Sequence, residues 1–325
     1  MRILVTGGAG YLGCILVPQL LKNNFKVNVL DLFIYGDNVL QNHPNLKIFK
    51  GDIRDSKIVD ESVKNCDIVI HLACISNDPS FELNPKLGKS INLDAFEPLV
   101  KTCLKNNVKK FFYASSSSVY GIKSEKNVIE SMSLKPLTDY SKYKVICEKI
   151  LLKYSTENFI TTSVRSATLC GFSPRQRLDV IINIFVNQAF NAGKIKVFGG
   201  PQLRPNVHIN DVARFYMHLI DCDEKKINKN VYNVGYDNFP IYELAELVKD
   251  EMGSNIFIEK IKSDDLRSYH ISSEKIKKDL NFHLKYDLKK AIKDLINAFE
   301  KKMYTDPLNN EMYFNIKRMQ NINLL

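Results

Sequence analysis

Arg2-Ile3-Leu4-Val5-Thr6-Gly7-Gly8-Ala9-Gly10-Tyr11-Leu12-Gly13 follows the initial methionine, and its reading decides the fold. Arg2–Thr6 is short and rich in branched apolar residues, which predicts a strand. Gly10–Asn23 is amphipathic at helical spacing and predicts a helix. Between them the chain must turn tightly, with its backbone open to a close neighbour, and glycine meets both demands. A helix N-terminus offers free N–H groups and a positive dipole end, so this turn is shaped for a phosphate-bearing ligand. The next predicted strand, Val27–Asp31, ends on a carboxylate eighteen residues after Gly13. A carboxylate there accepts hydrogen bonds from the ribose hydroxyls of an adenosine and repels a 2′-phosphate. The pattern therefore predicts NAD, in preference to NADP, bound over Gly7, Gly10, Gly13 and Asp31.

Working outward, Lys47–Phe49, Ile68–Leu72, Lys110–Ala114 and Ile160–Arg165 continue the strands. Ser56–Asn65, Leu87–Asn107 and Tyr140–Glu157 supply amphipathic helices between them. This alternation predicts an α/β fold, a Rossmann-type doubly wound parallel sheet with helices on both faces. From about Gly171 the chain holds more Pro and Gly, isolated short strands (Ile195–Phe198, Val231–Val234, Ile256–Ile258) and separate helices (Asp211–Ile220, Ile241–Met252, Asp287–Lys302). We expect residues 1–170 to form the NAD-binding domain and 171–325 a smaller C-terminal α/β substrate domain, partly interleaved with the first.

The 325 residues are 45% hydrophobic and 25% charged, ordinary for a globular chain and unlike a disordered, collagen-like or disulfide-dense one. The longest apolar runs are strand-length, and the start lacks a charged-then-apolar leader, so a cytoplasmic protein without a membrane partner is expected. The seven cysteines are scattered with no Cys-x-x-Cys, which fits reduced thiols and no metal site. Lys and Arg number 46 against 36 for Asp and Glu, a net charge of +10. The lysines are spread along the chain, which reads as solvated surface and not as a nucleic-acid patch.

Tyr140-Ser141-Lys142-Tyr143-Lys144 sets Tyr140 and Lys144 four residues apart, on one face of a helix. A free tyrosine is a poor base at neutral pH. A neighbouring ammonium and an oxidised nicotinamide both favour the phenolate, and the expectation is a lowered pKa. Such a group removes a hydroxyl proton while hydride leaves the same carbon. Ser115-Ser116-Ser117-Ser118-Val119-Tyr120-Gly121, at the end of a strand, supplies hydroxyls nearby.

Together these residues resemble the extended short-chain dehydrogenase/reductase family, in its NAD-dependent nucleotide-sugar epimerase/dehydratase branch, over residues 1 to about 300. The carriers are Thr6-Gly7-x-x-Gly10-x-x-Gly13, Asp31, Gly51-Asp52-Ile53, His71-Leu72-Ala73, Asn92, Ser116 ahead of Val119-Tyr120-Gly121, and Tyr140-x-x-x-Lys144. The resemblance implies that Ser116, Tyr140 and Lys144 are catalytic, with Tyr140 and Lys144 also at the cofactor. It places Tyr11 and Leu12 at the pyrophosphate, Asp52 and Ile53 at the adenine, and Leu72, Ala73, Ser76 and Asn92 along the cofactor.

For a nucleotide-diphospho-sugar substrate, the resemblance implies Ser116, Ser117, Asn183, Arg204 in Arg204-Pro205-Asn206-Val207-His208, and Arg267. Two segments, His71–Pro79 and Phe172–Asp179, are similar to a subgroup from surface-sugar pathways that includes a GDP-heptose C4-dehydrogenase. Arg175 and Arg177 there either face the substrate or pin a loop. Where the branch's 4,6-dehydratases carry Asp and Glu, this chain has Ser117 and Ser118. Water elimination then lacks its acid/base pair. The expected activity is oxidoreduction at a sugar hydroxyl, C4, most simply as an epimerase. A dehydrogenase, a ketoreductase or a non-catalytic NAD-binding regulator are the alternatives. A homodimer is expected through Leu87–Asn107 and Tyr140–Glu157, with Leu87, Ile91 and Pro98 spare for the partner on the first helix and Val145, Ile146, Ile150 and Leu151 making a wide apolar arc on the second.

Overall fold

The computed structural model describes residues 1–322 apart from 126, 237, 254, 264–267 and 269. The first six strands are β1 (Arg2–Thr6), β2 (Lys26–Asp31), β3 (Leu46–Lys50), β4 (Ile68–His71), β5 (Lys110–Ser116) and β6 (Ile160–Ser166). After them come β7 (Thr168–Cys170), β8 (Lys194–Phe198), β9 (Leu203–His208), β10 (Asn230–Val234), β11 (Asn238–Pro240) and β12 (Phe257–Ile261). The main sheet has seven strands in the order β10-β6-β5-β4-β1-β2-β3, and every pair in it is parallel. The order reverses beside β1, which opens a crevice at the carboxyl ends of the strands. Register brings those ends level: Thr6 pairs with Leu30 on one side and His71 on the other, and Ser116 pairs with Ser166.

Both faces of the central strands β1 and β4 are dry, which is why those strands read as apolar runs without a polar side. On β1, Ile3 and Val5 pack one way, with Leu16, Leu20, Phe215 and Leu219. Leu4 packs the other way, with Val59, Leu99, Val100, Cys103 and Leu151. The period-2 alternation thus divides one strand between two cores. A third core, with Ile182, Phe185, Val186, Ile195, Leu244, Val248, Ile292 and Leu295, lies in the second half. Around it sit the helices Ile181–Ala192, Ile241–Met252 and Leu288–Glu300.

The second half pairs its strands non-locally. β8 and β12, isolated in sequence, pair with each other in parallel. β10 crosses into the main sheet beside β6. β9 lies between β7 and β11. The sequence did not predict β9, because Arg204, Pro205 and Asn206 carry little strand preference and tertiary pairing supplies the rest. The expected helix Leu87–Asn107 is broken into Pro85–Lys89, a π-helical turn over Ser90–Asp94, and Phe96–Lys105. Leu87 and Ile91 belong to the second core. They are not spare for a partner, as the sequence had suggested, because the break turns them inward.

Candidate active site

A cleft of about 440 Å³ runs along the carboxyl ends of β1, β2, β4 and β5. Gly7, Gly10, Tyr11, Leu12 and Gly13 form its floor between β1 and the helix Gly13–Lys22. Gly7 has φ +72°, and a Cβ there would stand 2.6 Å from the Ala73 amide nitrogen. A Cβ on Gly13 would meet the Gly8 carbonyl oxygen at 2.4 Å. The loop is therefore a bare-backbone cradle, fit for a pyrophosphate. Tyr11 lines the cleft, while its hydroxyl donates to the Gly171 carbonyl at 2.6 Å and accepts from Asn183 at 2.9 Å.

Asp31 closes the β2 end. Its carboxylate accepts from the amides of Ala9 at 3.0 Å and Phe33 at 2.8 Å, which ties the glycine loop to the segment after β2. Burial pushes Asp31 above the ordinary carboxylate value, and the two amides and the Arg175 charge oppose it. The Leu32 amide adds a third backbone hydrogen bond, and the carboxylate can still accept from a ribose hydroxyl. Asp52, Ile53, Leu72, Ala73 and Ser76 line the same cleft. Asn92 stands behind it: its amide accepts from the Ile75 N–H at 2.8 Å and donates to the Ile75 carbonyl at 3.0 Å. It shapes the segment after β4 and does not line the cleft itself.

At the β5 end, Ser116, Ser117, Tyr140 and Lys144 come together. Thr138 caps the helix Asp139–Tyr154, and the four-residue spacing puts Tyr140 and Lys144 on one face as expected. The Lys144 ammonium lies 5.6 Å from the Tyr140 ring centroid and donates to the Ala114 carbonyl at 2.6 Å. Tyr140 itself is pushed well above an ordinary phenol, first by burial and then by Cys74 and Asp78, with Arg177 opposing. The expected lowering is therefore not a property of the protein alone, because burial outweighs the opposing Arg177 charge. The sequence also missed a chain of hydroxyls. Ser118 donates to Ser116 at 3.0 Å, Ser141 to Ser118 at 2.8 Å, Thr138 contacts Ser141 at 3.1 Å, and Thr138 donates to Asp78. It joins Ser116 to a carboxylate that lines the cleft.

From the second half, Arg204 on β9 lines the cleft with Pro205. Asn183, expected at the substrate, is buried, accepts from the Gly171 amide at 3.0 Å and donates to the Arg177 carbonyl at 2.7 Å. It holds the loop 171–177 and does not line the cleft. Arg267 lies outside the described residues. Arg175, Arg177, Asn315 and Met319 line the cleft too, the last two being positions that no local pattern singled out.

Residues 3–235 match the model of the "NAD dependent epimerase/dehydratase family". The chain belongs to that family. It is an enzyme of the short-chain dehydrogenase/reductase type, and its cofactor is NAD. The "Putative UDP-glucose 4-epimerase" of Methanocaldococcus jannaschii is 27% identical over 91% of this chain and 97% of its own. The "dTDP-D-glucose 4,6-dehydratase" of Dictyostelium discoideum is 31% identical over 76% of this chain and 60% of its own. Among solved structures, a UDP-N-acetylglucosamine 4-epimerase from Methanobrevibacter ruminantium, in complex with UDP-N-acetylmuramic acid, superposes with a TM-score of 0.82. It is 26% identical, over 91% of this chain and 98% of that one. Among the described residues, no helix is long and apolar enough to cross a membrane.

Proposed function

We propose that the enzyme oxidises a sugar hydroxyl, at C4, of a nucleotide-diphospho-sugar and returns hydride to the opposite face, as an epimerase. The observation that carries this reading is the meeting of Ser116, Tyr140 and Lys144 at one end of the cleft whose other end is the glycine cradle. NAD, when bound, supplies the hydride acceptor. Tyr140 takes the hydroxyl proton and later returns it. Lys144, anchored on the Ala114 carbonyl, holds positive charge beside the phenol and favours its ionised form. Ser116 holds the reacting oxygen in line with Tyr140, and Arg204 takes the substrate diphosphate in the part of the fold around residues 171–325. Ser117 and Ser118, both buried, lack the charge that water elimination requires, which argues against a dehydratase. Turnover of a panel of sugar nucleotides, followed by product analysis, tests the reading. C4 epimers without net change in NAD support it. Net accumulation of NADH with a released ketosugar would make the protein a dehydrogenase.

The protein acts as a homodimer through the helix Asp139–Tyr154, on which Ile146 and Leu152 are exposed while Val145 and Leu151 are buried. Sedimentation at micromolar concentration checks this, and a single species at monomer mass would remove the dimer. A cytosolic site of action fits its seven free cysteines.

A further inference from the structure

Arg175 and Arg177 sit in the cleft wall only 3% and 8% exposed. Arg175 lies flat on Tyr35, 3.6 Å from the ring centroid, and donates to Asn315 Oδ1 at 2.5 Å. Arg177 pairs with Asp179 at 2.8 Å and reaches Ser76 Oγ at 3.3 Å. Yet Arg175 Nε and Arg177 Nη2 have no acceptor among the described residues. Buried donors on a guanidinium are costly to leave unmet, and two such arginines in one cleft wall ask for an anion with several oxygens.

A C-terminal strap fixes this arrangement. The Leu178 amide donates to the Tyr313 carbonyl at 2.9 Å, and the Asn315 amide donates to Asp179 at 2.8 Å. Asn315 Nδ2 donates to Ser76 at 3.0 Å. On the far side, Arg318 Nε donates to the Ile34 carbonyl at 2.6 Å, just past β2. The strap thus runs from the arginine loop to the segment after Asp31. Asn315 and Met319 on the strap line the cleft, and Met319 packs on the core that holds Ile53 and Ile91.

We propose that Arg175 and Arg177, held by residues 311–321, form a second anion-binding wall that takes the diphosphate of NAD and retains the cofactor through turnover. The cofactor's diphosphate is favoured over the substrate's by position. Arg175 stacks on Tyr35, just after β2, and its charge acts on Asp31 and Cys14 in the first strand-helix-strand unit. Arg204, the arginine assigned to the substrate, lies on β9. A retained cofactor suits a reaction that gives hydride back to the same molecule. The inference rests on the cofactor assignment and deepens it.

The test uses the full-length holoenzyme. Dissociation of labelled NAD is followed after a chase with excess unlabelled NAD, and affinities for NAD, ADP, adenosine and the nucleotide-sugar are measured by calorimetry. Arg175→Gln and Arg177→Gln should each weaken NAD and ADP roughly 10–150-fold, the range for a hydrogen bond to a charged group, and leave adenosine unchanged. Arg318→Ala, at a partly exposed anchor, should speed NAD release by roughly 2–10-fold without touching nucleotide-sugar affinity, and it carries the test where the buried arginines do not tolerate replacement. Unchanged NAD release and affinity in folded variants would overturn the inference. So would a loss confined to the nucleotide-sugar, which would give the arginines to the substrate. Wild-type protein that binds no NAD would instead overturn the cofactor assignment itself.

Discussion

The glycine loop at residues 7–13 and the arginine loop at 171–177 line one cleft, yet they are made by opposite means. The first offers backbone amides and a helix end, and its shape follows from the strand and helix that flank it. The second offers buried side chains, and partners distant in sequence hold it in place. Tyr11 accepts from Asn183, Ser173 Oγ donates to the Tyr11 carbonyl at 2.8 Å, and Asn315 accepts from Arg175. A backbone cradle needs only local geometry, because each residue carries the same N–H dipole. A guanidinium wall needs a scaffold that keeps long side chains straight and desolvated, and Asp179, Asn183 and Asn315 supply it here.

The largest effect should come from the catalytic end, which belongs with the glycine loop. Tyr140→Phe removes one ionisable oxygen and should lower kcat by about 10²–10⁴-fold, with NAD affinity kept. Near-normal kcat, measured under saturating substrate, would mean that the base comes from elsewhere, and the division between the two regions would fail.

Next is a buried polar network at the carboxyl ends of β5, β6 and β10. Glu148 takes two hydrogen bonds from Arg165, at 3.0 and 2.6 Å, and one from Ser115, at 2.5 Å. Arg165 donates to Tyr120 at 2.8 Å, and Tyr120 donates to Asn233 on β10, also at 2.8 Å. The side chains of the pair are 5% and 8% exposed, so water does not replace a lost partner. Glu148→Ala should cost about 3–5 kcal/mol in chemical denaturation. A change within about 0.5 kcal/mol would show that the first sheet is held by its apolar cores without this pair.

Arg204→Ala sharpens the comparison from the substrate side. It should raise the nucleotide-sugar KM by roughly 10–150-fold and leave NAD titration unchanged, as expected for one hydrogen-bonded charge. An unchanged KM would withdraw Arg204 from the substrate.

The smallest effect is a pH dependence of the first region. His71 is held in the core beside Thr6, 2.7 Å away, and burial, aided by the Lys144 charge, pushes it down to about 3 from 6.5. The unfolded chain takes up a proton below about 6.5 that the folded chain refuses until about 3. Stability therefore falls with pH across that window, by about 2 kcal/mol at pH 5 from this residue. His71→Asn should flatten that part of the stability profile. An unaltered slope would put the acid sensitivity in other groups.

The sequence by itself determined the elements whose information is local. β1, the glycine loop, Asp31 at the end of β2, and the Tyr140–Lys144 face follow from period 2, period 3.6 and the steric freedom of glycine. Asn92 and Asn183 were legible as polar residues near a site, but only their buried partners, Ile75 and Gly171, show that they brace the wall from behind. Tertiary structure alone decided the rest. It sent β10 back to the first sheet, turned Leu87 and Ile91 inward, and raised Tyr140 through enclosure. It also brought Asn315 to Ser76 across 239 residues of sequence. No local periodicity encodes such a meeting, because it depends on how three separate cores pack and on which polar groups their packing leaves to be paired.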